Sequence, residues 1–400
     1  VGISGISITI LIAKYYGAAF LGIFNLTYSI YTVLSQLVAG GIHFSVLKFV
    51  SEIKDDKNLL SIIHNSAFFL TVIISCLLTF IIFLSRDIFG IVFNVNGLNV
   101  SILYILPGLL FFAINKVNFA FHNALRDMKL FAVLLAMRFL IMLVSLIVFI
   151  KLNVDGLKLS AIFSFSEIMI FVLFIPFSLK RIQINYFEGF AKWVKLHLVF
   201  GFKSAIGNIL IDINTRIDIL VLGLFVSEKS IGIYGFAIMI VEGFSQLSLV
   251  FRNNINPVLT KYRIDKSDKQ LESLIKKGRN WYYVSVIPLC IIMIIIYPFI
   301  INILNLDKIY LEGQLAFNIL MFGLIFSIGY HPFQMILNQT GFPGYQSVFF
   351  SSVFLTNLIL NFLFIPLMGI NGAALATAIT FVSIILYLKI LTYKSLRIKI

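Results

Sequence analysis

The residues of this chain that could do chemistry are charged side chains set inside long apolar runs. Asn208, Asp212 and Arg216 recur every four residues, which puts them on one face of a helix. Asp212 and Arg216 can pair along such a face. Asp218 lies two residues past Arg216, about 200° round a continuous helix, so one of the two must face elsewhere. Glu167 and Glu242 are further carboxylates in apolar surroundings, and Lys14, Lys116, Arg138 and Arg252 are further cations. A charge in hydrocarbon is costly enough to be a functional candidate by default. Asp212, Asp218, Glu242 and Glu167 are therefore candidates for a site that takes up and releases a proton or Na⁺. Lys14, Lys116, Arg138, Arg216 and Arg252, facing a cavity, would hold an anion, and phosphate or pyrophosphate suits them well. Each has a structural alternative. Lys14 and Arg138 stand near span ends and can snorkel. The Asp212–Arg216 pair can fix helix packing, Glu167 and Glu242 can make silent hydrogen bonds, and Arg252 falls where a cytoplasmic span end is expected. His43, His122 and His331, near span ends, read as structural.

The elements that must position these residues are membrane helices. The chain has 400 residues, 60% hydrophobic and 12% charged, with a mean hydropathy of +1.02. A soluble protein of this length could not bury so much apolar surface. The formal net charge of +14 would suggest a nucleic-acid partner in a soluble chain. Here the excess Lys and Arg mark cytoplasmic loops instead. Cys76 and Cys290 lie in apolar runs and read as small core residues rather than a disulfide or metal pair. No zinc, P-loop or dinucleotide pattern occurs, so no cofactor is expected beyond a proton or sodium gradient as driving force. The chain opens at Val1 inside an apolar run, without Met, and its first span is expected to be clipped rather than a cleaved signal peptide.

Twelve spans are expected, near 1–16, 21–46, 62–84, 101–121, 130–150, 157–178, 198–222, 231–255, 281–304, 314–336, 345–366 and 371–391. The connections 47–61, 122–129, 179–197, 256–280 and the tail 392–400 are rich in Lys and Arg. The opposite set, 85–100, 151–156, 223–230, 305–313 and 367–370, carries one basic residue each or none. The positive-inside rule places the richer set, and both termini, in the cytoplasm. In 180–197, Phe187, Phe190, Trp193 and Val194 at helical spacing predict an interfacial helix, as do Leu271, Leu274 and Ile275 in 268–279.

The two halves echo each other. Gly22-Ile23-Phe24-Asn25 matches Gly232-Ile233-Tyr234-Gly235 at an offset of 210 residues; His122-Asn123 matches Leu337-Asn338 at 215; Asp155-Gly156 matches Asn371-Gly372 at 216. An even number of spans separates the copies, so both have the same topology, with a pseudo-two-fold axis along the membrane normal. The fold expected is an all-α polytopic membrane protein of about 12 transmembrane helices, in two pseudo-symmetric six-helix lobes around a central cavity. The N-terminal lobe spans 1–179, a cytoplasmic interfacial linker 180–197, and the C-terminal lobe 198–400.

One stretch is unusually specific. From Asn361 to Thr377 the sequence joins two apolar spans through a short turn. Pro366 is expected to stop the first span, because it lacks an N–H and disfavours helix before it. Gly369 is expected to turn the chain, and Gly372, Ala373, Ala374 and Ala376 to give the next helix a small face for close approach. This pattern resembles a signature of bacterial polysaccharide flippases of the O-antigen and capsule type, the polysaccharide transport family of the multidrug/oligosaccharidyl-lipid/polysaccharide flippase superfamily. Two more blocks are similar to that family: Ile12 to Gly17 with Leu21 to Asn25, and Ile217 to Gly223 with Ile231 to Tyr234.

The resemblance implies ion-coupled alternating access that moves undecaprenyl-pyrophosphate-linked oligosaccharide from the inner to the outer leaflet of the bacterial cell membrane. The partners implied are that lipid-linked oligosaccharide, the bilayer and polysaccharide polymerase machinery. The resemblance makes Lys14 a headgroup cation and Asp218 the carboxylate of span seven. Lys14 stands where relatives more often carry arginine, which replaces a planar fork with a point charge. Rival readings are a lipid II flippase, with more spans and a more arginine-rich cavity, and a multidrug exporter of the same superfamily. A membrane polymerase or ligase needs a large outer loop with catalytic Arg or His; the longest outward connection, 85–100, has only Arg86 and no His.

Overall fold

The computed structural model describes residues 2–53, 56–183, 189–265, 267–398 and 400, and the side chains of all of these but 205–212. The chain is all-helical, with no strand among the described residues. Its first helices are α1 (Gly2–Tyr15), α2 (Gly17–Ala39), α3 (Ile42–Glu52), α4 (Lys57–Phe93), α5 (Leu98–Ala124), α6 (Met128–Lys151), α7 (Ala161–Leu179) and α8 (Phe190–Asn214). They are followed by α9 (Ile217–Phe225), α10 (Glu228–Ile264), α11 (Asp268–Ile303), α12 (Gln314–Ser327), α13 (Ile336–Gln339), α14 (Pro343–Met368) and α15 (Ile370–Leu396). Among the described residues ten helical segments are long and apolar enough to cross a membrane. With the 14-residue α1 and the broken α8–α9 pair they account for the twelve expected segments. Without water in the bilayer core, every backbone N–H and C=O must be satisfied within the segment, and helices do this locally.

The chain separates into two compact units. The first is mainly residues 23–216, and the second residues 9–22 with 217–400. The segment expected as an interfacial linker thus belongs, where described, to the first unit. Phe187 lies outside the described residues, but Phe190, Trp193 and Val194 are the opening turns of the 25-residue α8. Trp193 and Val194 pack on a core that includes Val46, Val50, Ile63 and Phe121, so among the described residues no separate interfacial helix forms there. The same correction applies to 268–279. Leu271 and Ile275 are fully buried against Leu259, Phe333 and Leu337, within the 36-residue α11. Apolar spacing marks a buried stripe, and it does not say whether the cover is lipid or protein.

Three helices overreach the membrane. α4, α10 and α11 have 37, 37 and 36 residues, or about 55 Å at 1.5 Å per residue, against a hydrocarbon core of about 30 Å. The expected outward loop 85–100 is therefore largely helix; α4 runs to Phe93, and only Asn94–Gly97 separate it from α5. Cys76 is exposed on α4 rather than in a core, whereas Cys290 is buried; both are free thiols.

The second unit holds the repeat's glycines together. A Cβ on Gly22 would collide with the Glu228 carbonyl and approach the Gly232 amide; one on Gly232 would collide with the Ala18 carbonyl and approach the Gly22 amide. Each glycine meets the carbonyl four residues before the other, so the α2–α10 crossing is itself two-fold. Only glycine permits backbones this close. The 361–377 stretch forms a tighter hairpin than expected. Pro366 does not stop its helix but lies inside the last turn of α14, which ends at Met368. Gly369 alone turns the chain, at φ 55 and ψ −129, a region open essentially to glycine. A Cβ on Gly372 would strike the Phe364 carbonyl, while Ala373, Ala374 and Ala376 are wholly buried.

Gly369→Ala is expected to destabilise the protein by about 1–3 kcal/mol through this backbone strain. A fall in the melting temperature of the detergent-solubilised protein would register it, with Gly344→Ala, where a Cβ meets open space, as the neutral control.

Candidate functional site

Within the first unit, α5, α6 and α7 bring the intramembrane charges together. Glu167 on α7 is buried and takes the Arg138 guanidinium of α6, with Nε to Oε1 at 2.9 Å and an aligned hydrogen bond from Nη2 to Oε2 at 3.1 Å. Asn115 of α5 donates through Nδ2 to Oε2 and to the backbone carbonyl of the same glutamate, both at 2.8 Å. Arg138 also lies over the rings of Phe112 and Phe119, at 5.5 and 5.1 Å. One turn along α5 from Phe112, Lys116 donates to the Gln36 amide oxygen of α2 at 3.1 Å, with Nζ 5.3 Å from the Phe112 ring. Two cations thus share one aromatic ring, which attracts positive charge through its quadrupole. Glu167 is close enough to feel both of them.

Arg138 and Glu167, anticipated in separate roles, form one ion pair. A buried pair contributes little net stability, but breaking it leaves a bare charge. Glu167→Ala is expected to cost about 3–5 kcal/mol by stranding Arg138, and the double change Arg138→Met with Glu167→Met to recover most of the loss. Thermal unfolding of the purified single and double variants checks this.

The reading of span seven as one helix does not hold. α8 ends at Asn214 and α9 begins at Ile217, with Thr215 and Arg216 between them. Asn and Thr side chains compete with the backbone for hydrogen bonds and favour such a break. The angular argument that set Arg216 and Asp218 on opposite sides therefore lapses. Arg216 lies over the Tyr28 ring at 4.8 Å. Tyr28 stacks on Phe163, which also stacks with Phe24 and Tyr31, at centroid distances of 5.1–5.2 Å. The side chains of Asn208 and Asp212 lie outside the described residues.

In the second unit, Asp218 opens α9 and is buried. Tyr234 of α10 donates its hydroxyl to Oδ2 at 2.7 Å, and the Ile219 amide donates to Oδ1 at 2.9 Å. Tyr234 is itself within electrostatic reach of Glu242, which is half-buried further along α10. α9 packs on α10, α14 and α15. On α14, Asn361 donates to the Asn357 carbonyl and side-chain oxygen at 2.8 and 2.9 Å. The Asn361 Oδ1 is buried without a hydrogen-bond partner among the described residues, and on α15 the buried Thr377 hydroxyl lies against the Tyr234 phenol. The signature stretch therefore supplies buried oxygens on the two helices that cover α9. Among the described residues no cluster of three or more His, Cys, Asp or Glu exists.

The remaining cations are placed differently. Lys14 is exposed in the last turn of α1. Arg252 lies about two-thirds of the way along α10, half-buried and near His331. The histidines make structural contacts: His122 with Asp127 and Ser178, His331 with Ser327, and His43 against the Phe44 ring. Sequence reasoning missed Gln36, Tyr28 and Tyr234 as partners of charged residues. Only Tyr234 carried a signal, because it belongs to the second copy of the repeated Gly-Ile-aromatic motif.

No curated protein matches the sequence. The lipid II flippase MurJ in its inward closed conformation is 18% identical, over 98% of this chain and 85% of that one, with a TM-score of 0.78. An inward-facing multidrug resistance MATE family transporter of the MOP superfamily is 12% identical, over 98% and 94%, with a TM-score of 0.81. A MOP superfamily transporter from Pyrococcus furiosus is 12% identical, over 98% and 91%, with a TM-score of 0.66. At such identities the likeness is one of fold. The sequence itself matches the profile described as polysaccharide biosynthesis protein over residues 3–251. That match takes in the α5–α7 charge cluster, Asp218 and Tyr234, and by it the chain belongs to the polysaccharide biosynthesis protein family.

Proposed function

We propose that the protein is a flippase. It carries undecaprenyl-pyrophosphate-linked oligosaccharide repeat units from the cytoplasmic to the outer leaflet, for surface polysaccharides of the O-antigen, capsule or exopolysaccharide kind. The observation that supports this most directly is the pair of cations, Lys116 and Arg138, held at one ring inside a membrane-spanning bundle of a polysaccharide-family chain. A doubly phosphorylated lipid carrier needs positive charge along any path through hydrocarbon, and a neutral drug does not. In this reading Lys116 and Arg216 of the first unit meet the pyrophosphate, while Glu167 serves as the counter-charge that keeps Arg138 in place.

Transport is ion-coupled through Asp218. This carboxylate is buried, its oxygens take a phenol and an amide, and buried oxygens of α14 and α15 flank its helix. A proton or Na⁺ arriving there would compete with Tyr234 for Oδ2 and so change how α9 and α10 are tied. The protein sits in the bacterial inner membrane with both termini in the cytoplasm, as the Lys/Arg-rich loops favour. It carries out no covalent chemistry, and polysaccharide polymerase machinery acts after it.

Cells lacking the protein are expected to accumulate one complete undecaprenyl-pyrophosphate repeat unit and to lose surface polymer, as read by mass spectrometry of extracted polyprenyl lipids. Accumulated lipid II would instead favour a peptidoglycan flippase, and no change in either pool a drug exporter. Asp218→Asn is expected to abolish export while leaving membrane insertion intact, and Lys116→Gln to slow it about tenfold or more. Full complementation by both variants would remove these residues from the transport cycle.

A further inference from the structure

A second cluster of basic residues, unused by the transport reading, surrounds the connection between α5 and α6. Arg126 adopts a left-handed backbone, φ 62, and the Asp127 amide returns to the His122 carbonyl at 2.9 Å. Asp127 then occupies the N-cap position of the 24-residue α6 but makes no side-chain cap hydrogen bond. Its carboxylate is turned away, to His122 Nδ1 at 3.1 Å and to Arg181 Nη2 at 3.2 and 3.4 Å. The start of α6 thus has no side-chain cap, and Arg181 pairs with Asp127 just beyond the end of α7.

A cavity of about 590 Å³ opens at this place. Its polar side carries Arg126, Lys129, Lys180 and Arg181 against the single carboxylate of Asp127, a balance of three positive charges. Its apolar side is Met128, Leu130, Val133 and Phe177. Val133 and Phe177 are 48% and 41% exposed, and the exposed apolar surface continues along the same helices through Leu140, Val144 and Val172. The cavity therefore joins a cationic rim to surface made for lipid chains. Abundant positive charge on one membrane face accounts for loose surface lysines. It does not account for a carboxylate diverted from a helix start, or for an apolar wall beneath the cations.

We propose that this cavity is a binding site for an anionic phospholipid of the phosphatidylglycerol class. Its phosphate sits at the N-terminus of α6 among Arg126, Lys129 and Lys180, and its acyl chains run along Val133 and Phe177. Helix N-termini with flanking Arg and Lys take phosphate oxygens readily, and basic pockets between membrane helices hold lipid headgroups. A free phosphate would find the charge but leave the apolar wall unused.

The test is the amount of phosphatidylglycerol retained by the full-length protein after exchange into nanodiscs of mixed phosphatidylglycerol and phosphatidylcholine, counted by native mass spectrometry. The combined Arg126→Gln, Lys129→Gln and Lys180→Gln variant is expected to lose tightly held phosphatidylglycerol about tenfold or more. Val133→Trp, an exposed change that keeps every charge, is expected to lose it as well by filling the apolar side. Lys261→Gln, Lys269→Gln and Lys277→Gln together, which remove equal charge from another basic region, should retain it fully. Equal loss in that control, full retention in Val133→Trp, no preference over phosphatidylcholine, or occupancy by polyprenyl-pyrophosphate lipid instead would each overturn the proposal.

Discussion

A charge in hydrocarbon has no water to fall back on, and the arrangement of this protein's polar groups follows from that. Leaving one partner of a buried pair alone costs several kilocalories per mole, and Arg138, Glu167 and Asp218 are each held from several sides. Arg138 has Glu167 and two aromatic rings, Glu167 has Asn115 as well, and Asp218 has Tyr234 and a backbone amide. These contacts tie α5 to α6 and α7 in one unit and α9 to α10 in the other.

Close backbone approach is the second constraint. Water gives no drive for helix association within a bilayer, so packing quality decides it. The reciprocal contact of Gly22 with Gly232, and of Gly372 with the Phe364 carbonyl, lets pairs of helices meet without side chains between them. That two of these glycines are repeat equivalents gives the internal symmetry a physical seat.

Much of this was legible beforehand. Apolar runs gave the spans, because an apolar run of that length has no soluble solution, and the 361–377 stretch with its companion blocks pointed to the family that residues 3–251 match. Other readings failed for definite reasons. Trp193 and Leu271 have the spacing of interfacial helices, yet they are covered by protein, because spacing reports a stripe and not its neighbour. Pro366 has the chemistry of a helix stop, but the last turn of α14 tolerates it because Gly369 makes the whole turn.

The sequence by itself determined the class of the protein, the number of its spans to within their breaks, the repeat, and the list of charges worth attention, since each rests on composition or short-range spacing. Tertiary structure alone decided which charges are partners. Arg138 and Glu167 are 29 residues apart, Lys116 and Gln36 are 80, and nothing in local periodicity links positions so distant. It also decided that span seven breaks at Thr215–Arg216, which moved Asp218 to the start of a new helix and within reach of Tyr234. Pairing across helices depends on rotation and depth of each rod against its neighbours, and those are fixed only when the whole bundle packs.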